Sequence, residues 1–385
     1  MKILVVTHYF PAHRGGVEIV AGELISRWCH QGLEVTWMAS NNDSCPNFHD
    51  NLQCISIESN NIIEKKLGFA YPIWNIVKVY RQLWRQIKQV DIIHIHEYIY
   101  LGNILAFYIA KQQKKPIILT QHIGFIPFSN PVFCFLLKLV NYTLGKFILT
   151  RVDRVIFCSK VIEEYWLKLK PKFKQKQIFI PNGVDTNIFY PVDTEARIKV
   201  REELALPLDK LTILFVGRFV EKKGLNLLEK LAKNYQQITW VFVGWGSLNP
   251  KNWGLSNVYG WENLEKSALT PVYQMADLLI LPSSGEAFPL VIQEAMACGT
   301  PAFVSRESAD QYPQLQNMIF SAEVNKPHSE EEWHNKTEEI IKNPQLLIDL
   351  REKVANFAQE YWCWQKTADN YLQVFEDCFV TSSNN

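Results

Sequence analysis

Short, uninterrupted apolar runs recur along the chain, and stretches with helical periodicity, such as residues 17–31 and 225–235, separate them. Apolar and polar residues do not alternate within the runs, which indicates strands that are buried on both faces of a parallel sheet. The runs are residues 3–6, 35–38, 92–95, 117–120, 154–158, 212–216, 239–243 and 278–281. Repeated β-α units of this kind predict a doubly wound α/β fold.

The series of runs occurs twice, which predicts two Rossmann-like domains. The chain has 385 residues, enough for two domains of roughly 100–200 residues each. An Asn-Gly turn signal at residues 182–183 marks the boundary, so we assign residues 1–185 to the first domain and residues 186–360 to the second. Ligands of open parallel sheets bind beyond the carboxyl ends of the strands, so two facing sheets would share a central cleft.

Charge is balanced over the whole chain but not between its halves. The formal net charge of +1 argues against a nucleic-acid-binding protein, because such domains are strongly basic. Residues 1–190 carry 22 basic and 13 acidic side chains, whereas residues 191–385 carry 18 and 26. The basic first half predicts an anionic partner, such as a phosphorylated or lipid-linked acceptor or an anionic membrane surface. An unevenly charged, solvated surface is the alternative.

The eight cysteines form neither a CxxC pair nor a Cys/His cluster with zinc spacing. Several lie in apolar runs, as Cys158 does, and indicate buried thiols in a reducing compartment. The first residues enter a strand at once, without the layout of a signal peptide. These features predict a cytoplasmic protein.

Two regions suit peripheral attachment to a membrane. Residues 65–88 mix aromatic with basic side chains, and residues 131–151 are apolar but interrupted by Lys138 and Lys146. Such compositions are typical of helices at the lipid–water interface, although both apolar faces could instead pack on the domain. No uncharged apolar stretch reaches 18 residues, so no transmembrane helix is expected.

Gly15 and Gly16 follow the first predicted strand and precede a predicted helix. Two glycines let the backbone approach a ligand closely, and the free N–H groups of a helix N-terminus favour a phosphate. The motif therefore indicates a phosphate site, with an ordinary glycine turn as the alternative.

Arg218 and Lys223 follow the predicted strand at residues 212–216. A guanidinium and an ammonium at one strand end could grip a diphosphate. Sugar transfer demands such cations, because negative charge grows on the departing diphosphate. A solvated, charged loop is the alternative.

Residues 282–301 form the most specific segment, which follows the predicted strand at residues 278–281. Pro289 suits the first turn of a helix, so Glu286 lies in the preceding loop and Glu294 within the helix. One carboxylate could accept hydrogen bonds from sugar hydroxyls and the other from a ribose. A surface helix that happens to carry a glutamate is the alternative.

Three histidines follow or end predicted strands. His94 and His96 have the spacing of two residues on one face of a strand, but no third metal ligand is evident nearby. His122 lies between Gln121 and Gly124, in a polar cluster that could open into the cleft. A structural role is the alternative for each of them.

Two cofactor classes find no support in the sequence. The segment 244–246 is a lone GxG without the rest of a dinucleotide fingerprint, which argues against an NAD-dependent dehydrogenase. No Asp-x-Asp sequence is present, so no carboxylate pair for a metal–diphosphate complex is predicted.

Taken together, the motifs resemble the family-4 group of retaining glycosyltransferases (glycosyl transferases group 1), which have the GT-B fold. The matching segments are residues 15–18, 91–96, 181–185, 216–224 and 282–301, in the family's order. The resemblance implies a metal-independent hexosyltransferase without a cofactor. It would transfer a sugar from a UDP- or GDP-type nucleotide sugar to a glycan or lipid-linked acceptor, in polysaccharide or cell-surface glycan biosynthesis.

The resemblance also implies roles for individual residues. Arg218 and Lys223 would hold the diphosphate and stabilise it as it leaves. Glu294 would bind the ribose and Glu286 the donor sugar, with His122 beside the transferred sugar. The remaining donor contacts would be Gly16, Gly217, Gly244, Phe288, Pro289 and Leu290. The acceptor site would comprise Gly15, Gly16, Glu18 and His122.

The resemblance further implies that residues 361–385, with Trp362 and Trp364, form a helix that crosses back to the first domain and ends in a short polar tail. Three positions depart from the family's pattern: Pro289 replaces a glycine, Trp245 a small polar residue, and residues 305–310 a glycine pair. Two other classes remain open, a nucleotide-sugar epimerase of the same fold and a non-catalytic nucleotide-sugar-binding module.

Overall fold

The computed structural model divides into two compact units. The first unit comprises Met1–Asn182 together with Trp364–Asn385, and the second comprises Gly183–Cys363. The residues that the structure describes are 1–13, 15–67, 71–124, 131–262, 264–284, 289–315 and 317–383.

The first unit is a parallel sheet flanked by helices. Its strands are β1 (Lys2–Val6), β2 (Glu34–Ser40), β3 (Leu52–Ile57), β6 (Ile92–His96), β7 (Ile117–Gln121), β8 (Arg154–Phe157) and β9 (Ile178–Phe179), with β4 (Ser59–Asn60) and β5 (Ile73–Trp74) as a separate antiparallel pair. Its helices are α1 (Gly16–His30), α2 (Ile62–Leu67), α3 (Ile76–Gln89), α4 (Leu101–Gln112), α5 (Pro131–Val140), α6 (Lys146–Leu149), α7 (Lys160–Lys168) and α15 (Trp364–Ser383).

The second unit repeats this architecture. Its strands are β10 (Thr212–Val216), β11 (Thr239–Val243), β12 (Val258–Trp261), β13 (Leu278–Leu281), β14 (Ala302–Ser305) and β15 (Ile319–Ala322). Its helices are α8 (Thr194–Glu203), α9 (Leu225–Asn234), α10 (Lys266–Met275), α11 (Leu290–Ala297), α12 (Arg306–Ala309), α13 (Ser329–Lys342) and α14 (Gln345–Tyr361).

Strand order places a crevice in each unit. The orders are β3-β2-β1-β6-β7-β8-β9 and β12-β11-β10-β13-β14-β15, and all these strands pair in parallel. The order reverses between β1 and β6 in the first unit and between β10 and β13 in the second. Ligands of open parallel sheets bind at such reversals, beyond the carboxyl ends of the strands.

The predicted doubly wound α/β fold is confirmed, and each of the eight predicted apolar runs forms a strand. β10, β11 and β13 have the predicted bounds, and all their residues are buried. The sequence analysis did not identify the edge strands β3, β9, β12 and β15, which are only partly buried. It also missed β14, a short buried inner strand with three apolar residues followed by Ser305. An edge strand loses the continuous apolar pattern, because one side faces water.

The C-terminal helix α15 belongs to the core of the first unit. Trp364, Tyr371 and Phe375 join the buried cluster around Trp28. The indole N–H of Trp28 donates to the carbonyl of Ala368 at 3.2 Å, which fixes α15 against α1. The first unit is therefore completed by residues at both ends of the sequence.

One helical segment of the described chain has the length and hydropathy of a membrane-crossing helix. It is Val132–Leu149, with 18 residues and a mean hydropathy of 1.6, and 22% of it is buried. The sequence analysis predicted no such segment, because it considered only uncharged apolar runs. This stretch is apolar except for Lys138 and Lys146, which interrupt it. Length and composition by themselves do not distinguish a span from a helix that lies on a surface.

Candidate active site

Two loops meet at the strand reversal of the second unit. Gly224 follows β10 with φ 77°, and a Cβ atom there would lie 2.5 Å from the carbonyl oxygen of Pro282, which follows β13. The backbone N–H of Ser284 donates to the carbonyl of Lys222 at 3.1 Å. The left-handed backbone and the close approach both require glycine at position 224.

A third loop packs against the first. A Cβ atom on Gly244, after β11, would lie 1.8 Å from the carbonyl oxygen of Gly217, after β10. The N–H of Phe219 donates to the carbonyl of Trp245 at 2.7 Å. The carboxyl ends of three adjacent strands thus carry loops in direct contact.

Both predicted cations lie in the loop after β10. Arg218 is exposed, and Lys223 is half-buried at the end of the 3₁₀ turn Glu221–Lys223. The Cε atom of Lys223 lies 3.9 Å from the position a Cβ would take on Gly217. The lysine side chain therefore folds back towards the end of β10, the strand end that Arg218 follows.

Two helix N-termini begin at these loops. α9 starts after Gly224 and α11 after Pro289, and neither residue caps its helix with a side-chain hydrogen bond. The first N–H groups of a helix have no partner within the helix, and its dipole favours negative charge there. Such N–H groups and cations such as Arg218 and Lys223 are the kinds of group that bind a diphosphate.

Glu294 of α11 is fixed by a tyrosine that the sequence analysis missed. The hydroxyl of Tyr273 in α10 donates to Oε2 of Glu294 at 2.8 Å. Burial, and then the charge of Glu294, raise the pKa of Tyr273 well above its ordinary value, so the hydroxyl stays a donor. Glu294 itself is partly exposed.

Two predicted donor residues, Glu286 and Phe288, lie outside the described residues. Pro289 and Leu290 lie at the start of α11, as a proline near a helix N-terminus favours. The structure therefore brings together the elements that carry Arg218, Lys223 and Glu294.

In the first unit, a buried histidine–glutamate pair lies at the start of α1. Nε2 of His8, after β1, lies 2.7 Å from Oε1 of Glu18, and both side chains are buried. The Glu18 carboxylate also covers Gly15, since a Cβ atom there would meet Oε2 at 2.2 Å. Burial raises the pKa of Glu18, but the hydrogen bond and charge of His8 outweigh it and hold the pKa below its ordinary value. An acidic group thus lies near Gly16, where the sequence predicts a phosphate.

Glu97, which the sequence analysis also missed, follows β6 at the strand reversal. Its carboxylate accepts the backbone N–H groups of His122 and Ile123, both at 2.5 Å, and the side-chain amide of Gln121 at 2.7 Å. The residue is buried and has φ 71°. The only indication of Glu97 in the sequence is that an acidic residue directly follows a buried strand.

The three histidines form one buried array. Nδ1 of His96 lies 2.9 Å from Nε2 of His122, and Nε2 of His94 lies 2.8 Å from the hydroxyl of Thr120. Burial lowers the pKa of His122 to about 4 and that of His94 to about 3, so both rings are neutral near pH 7. Among the described residues, no three His, Cys, Asp or Glu side chains are grouped to hold a metal ion.

Two family models match the chain in succession. The Glycosyltransferase Family 4 model matches residues 14–188, and the glycosyl transferases group 1 model matches residues 196–361. The chain belongs to the group 1 glycosyltransferases. Both matches agree with the resemblance inferred from the motifs.

Known proteins are similar to this glycosyltransferase over most of its length. The alpha-galactosylglucosyldiacylglycerol synthase of Streptococcus pneumoniae is 25% identical, over 76% of this chain and 77% of its own. Sucrose-phosphate synthase from Thermosynechococcus elongatus superposes with a TM-score of 0.73 at 20% identity, over 99% of this chain and 100% of its own. Anabaena HepE in complex with UDP superposes with a TM-score of 0.75 at 15% identity, over 98% of this chain and 100% of its own. These structures establish the GT-B fold.

Proposed function

We propose that this glycosyltransferase moves a sugar from a UDP- or GDP-type nucleotide sugar to an acceptor, with retention of configuration and without a metal ion. The observation that carries the proposal is the contact between the loops after β10 and β13, which lead into the N-termini of α9 and α11; the first of these loops carries Arg218 and Lys223. Negative charge on the leaving diphosphate is what such an arrangement stabilises.

The proposed roles follow from the chemistry of each group. Arg218 offers a planar fork to two phosphate oxygens, and Lys223 a point charge that matters most as the diphosphate leaves. Glu294 accepts the ribose hydroxyls in the orientation set by Tyr273, and Glu286 contacts the donor sugar. The UDP complex of Anabaena HepE, which has the same fold, supports a uridine nucleotide as the first donor to test.

On the acceptor side, we propose that His122 lies beside the transferred sugar, with Gly15, Gly16 and Glu18 lining the acceptor site. His122 is neutral at physiological pH, so it acts through hydrogen bonds rather than charge. An acceptor bound next to the Glu18 carboxylate would present hydroxyl donors to it, as a sugar does.

The acceptor we propose is lipid-linked, on the cytoplasmic face of a membrane. Residues 1–190 carry the chain's excess of basic side chains, which suits an anionic lipid carrier or membrane surface. The name of the streptococcal relative specifies a glycolipid product, which supports this class of acceptor. The eight cysteines are free thiols, which is compatible with the proposed reducing compartment.

The test combines donor binding with product analysis. Thermal shifts with UDP, GDP and ADP sugars identify the donor, and release of the nucleoside diphosphate is then measured with and without lipid extracts. Acceptor-dependent release and an unchanged anomeric configuration by NMR are expected. Donor turnover without any acceptor would indicate the epimerase instead, and tight donor binding without release would indicate the non-catalytic module.

A further inference from the structure

A helical segment of the first unit exposes a row of large apolar side chains. The segment consists of α5, the π-helical turn Asn141–Gly145 and α6. Its exposed side chains include Phe135 (66%), Tyr142 (59%), Leu139 (47%), Leu136 (46%) and Phe147 (37%), which we call the docking face. Contiguous apolar surface of this kind marks a site of interaction in most proteins.

The stretch of sequence that contains the docking face has basic residues and no acidic ones. Between Glu97 and Asp153 the chain contains no acidic residue but six basic ones. Nζ of Lys146 lies 5.2 Å from the ring centre of Tyr142, and Cζ of Arg151 lies 3.8 Å from that of Phe147. Cations whose stems lie along apolar rings match an interface between lipid chains and anionic headgroups.

The inward side of the same segment is anchored in the unit. Leu137, Ile148 and Leu149 are buried, and the side chain of Asn141 accepts from the hydroxyl of Tyr98. The amide of Asn141 donates to the carbonyl of Gly124 at 3.2 Å. A segment held in this way lies along the surface of the unit rather than projecting from it.

We infer that the docking face binds the surface of an anionic lipid bilayer. The inference deepens the proposed lipid-linked acceptor, because Gly124 is two residues after His122, so the bilayer contact is tied to the proposed acceptor site. Charge favours lipid over a second copy of the chain, because a symmetric pairing would bring the cations Lys146 and Arg151 of both copies together, and no acidic residue occurs between Glu97 and Asp153.

Vesicle flotation of the full-length protein tests the inference. Vesicles of phosphatidylcholine alone are compared with vesicles that also contain phosphatidylglycerol, and binding only to the latter is expected. Phe135→Ser combined with Leu139→Ser should weaken binding by about tenfold or more, because two exposed apolar side chains that would enter the bilayer are lost. Ile348→Ser, at an equally exposed position of the second unit, should leave binding unchanged.

Two further measurements separate the outcomes. The double variant should retain the thermal midpoint of the wild type and its release of diphosphate with a detergent-solubilised acceptor, so loss of flotation cannot arise from unfolding or from an inactive site. Binding that is equal for the wild type and the double variant overturns the inference. The inference is also overturned if the wild type binds no vesicles but forms a dimer in size-exclusion chromatography, and the double variant is a monomer.

Discussion

The carboxylate of Glu97 fixes the backbone that carries His122. One oxygen accepts the N–H groups of both His122 and Ile123 at 2.5 Å, and the other accepts from Gln121 at 2.7 Å. Glu97 itself has φ 71°, which a non-glycine residue adopts only where its surroundings hold it. Glu97 is therefore a positioning residue that links the ends of β6 and β7.

Glu97 should make stability depend on pH. Burial raises its pKa from 4.5 to about 8, against the opposing effect of its N–H donors. Between these values the folded state holds a proton that the unfolded state releases. The contribution of Glu97 to the free energy of unfolding should therefore decrease as pH rises through this window, by at most about 1.4 kcal/mol per pH unit, and level off above it.

Urea unfolding of the wild type and Glu97→Gln over this pH range measures the effect. The glutamine cannot ionise, so the free energy of unfolding of the wild type, relative to that of the variant, should decrease as pH rises. Taking this difference removes the opposing contribution of the buried, neutral histidines, which both proteins share. Parallel pH profiles would show that Glu97 is ionised in the folded protein throughout.

Lys223→Ala should lower turnover more than it weakens donor binding. The lysine charge matters most when the diphosphate leaves, so we expect kcat to fall by about a hundredfold or more while the Kd for the donor changes much less. The matched control is Lys222→Ala, which removes the adjacent exposed lysine but keeps the carbonyl bonded to Ser284. Equal losses of binding and turnover in Lys223→Ala would contradict the proposed role.

Tyr273→Phe should weaken donor binding through Glu294. The change removes only the hydroxyl that donates to the carboxylate, so Glu294 loses one hydrogen bond that orients it and the Kd for the donor should rise about tenfold. Calorimetry with the nucleoside diphosphate measures this change in Kd. The loss should be absent in a Glu294→Ala background, and an additive effect there would mean that Tyr273 acts independently.

Gly224→Ala should reduce both stability and turnover. The added methyl would meet the carbonyl of Pro282 at 2.5 Å, so the loops after β10 and β13 would have to separate. Gly254→Ala is the control, because Gly254 has φ 68° and open space around it. The control should lose about 1–2 kcal/mol of stability from backbone strain and retain activity. Similar turnover in both variants would show that the loop contact is dispensable.

The sequence predicted the fold well because the central strands are buried on both faces. β10, β11 and β13 consist almost entirely of apolar residues, so their positions can be read directly from the chain. The edge strands β3, β9, β12 and β15 could not be recognised, since an edge strand need not be apolar throughout. The inner strand β14 was missed because its apolar run is only three residues long.

The candidate site was predictable only in part. Arg218, Lys223 and Glu294 lie in motifs that the family resemblance identifies. Tyr273 and Glu97 carry no such signal, because their importance arises from hydrogen bonds to residues 21 and 25 positions further along the chain. Their partners come within reach only when the parallel sheets have formed.

The sequence by itself therefore determined the parallel sheets, the family and the charged groups at the strand ends, because local apolar patterns and short motifs encode them. Only the tertiary structure decided that α15 completes the first unit, that Glu97 fixes the His122 backbone, and that Gly224 meets Pro282. Each of these contacts joins segments that are distant in sequence, so it depends on the packing of the whole unit rather than on local preference.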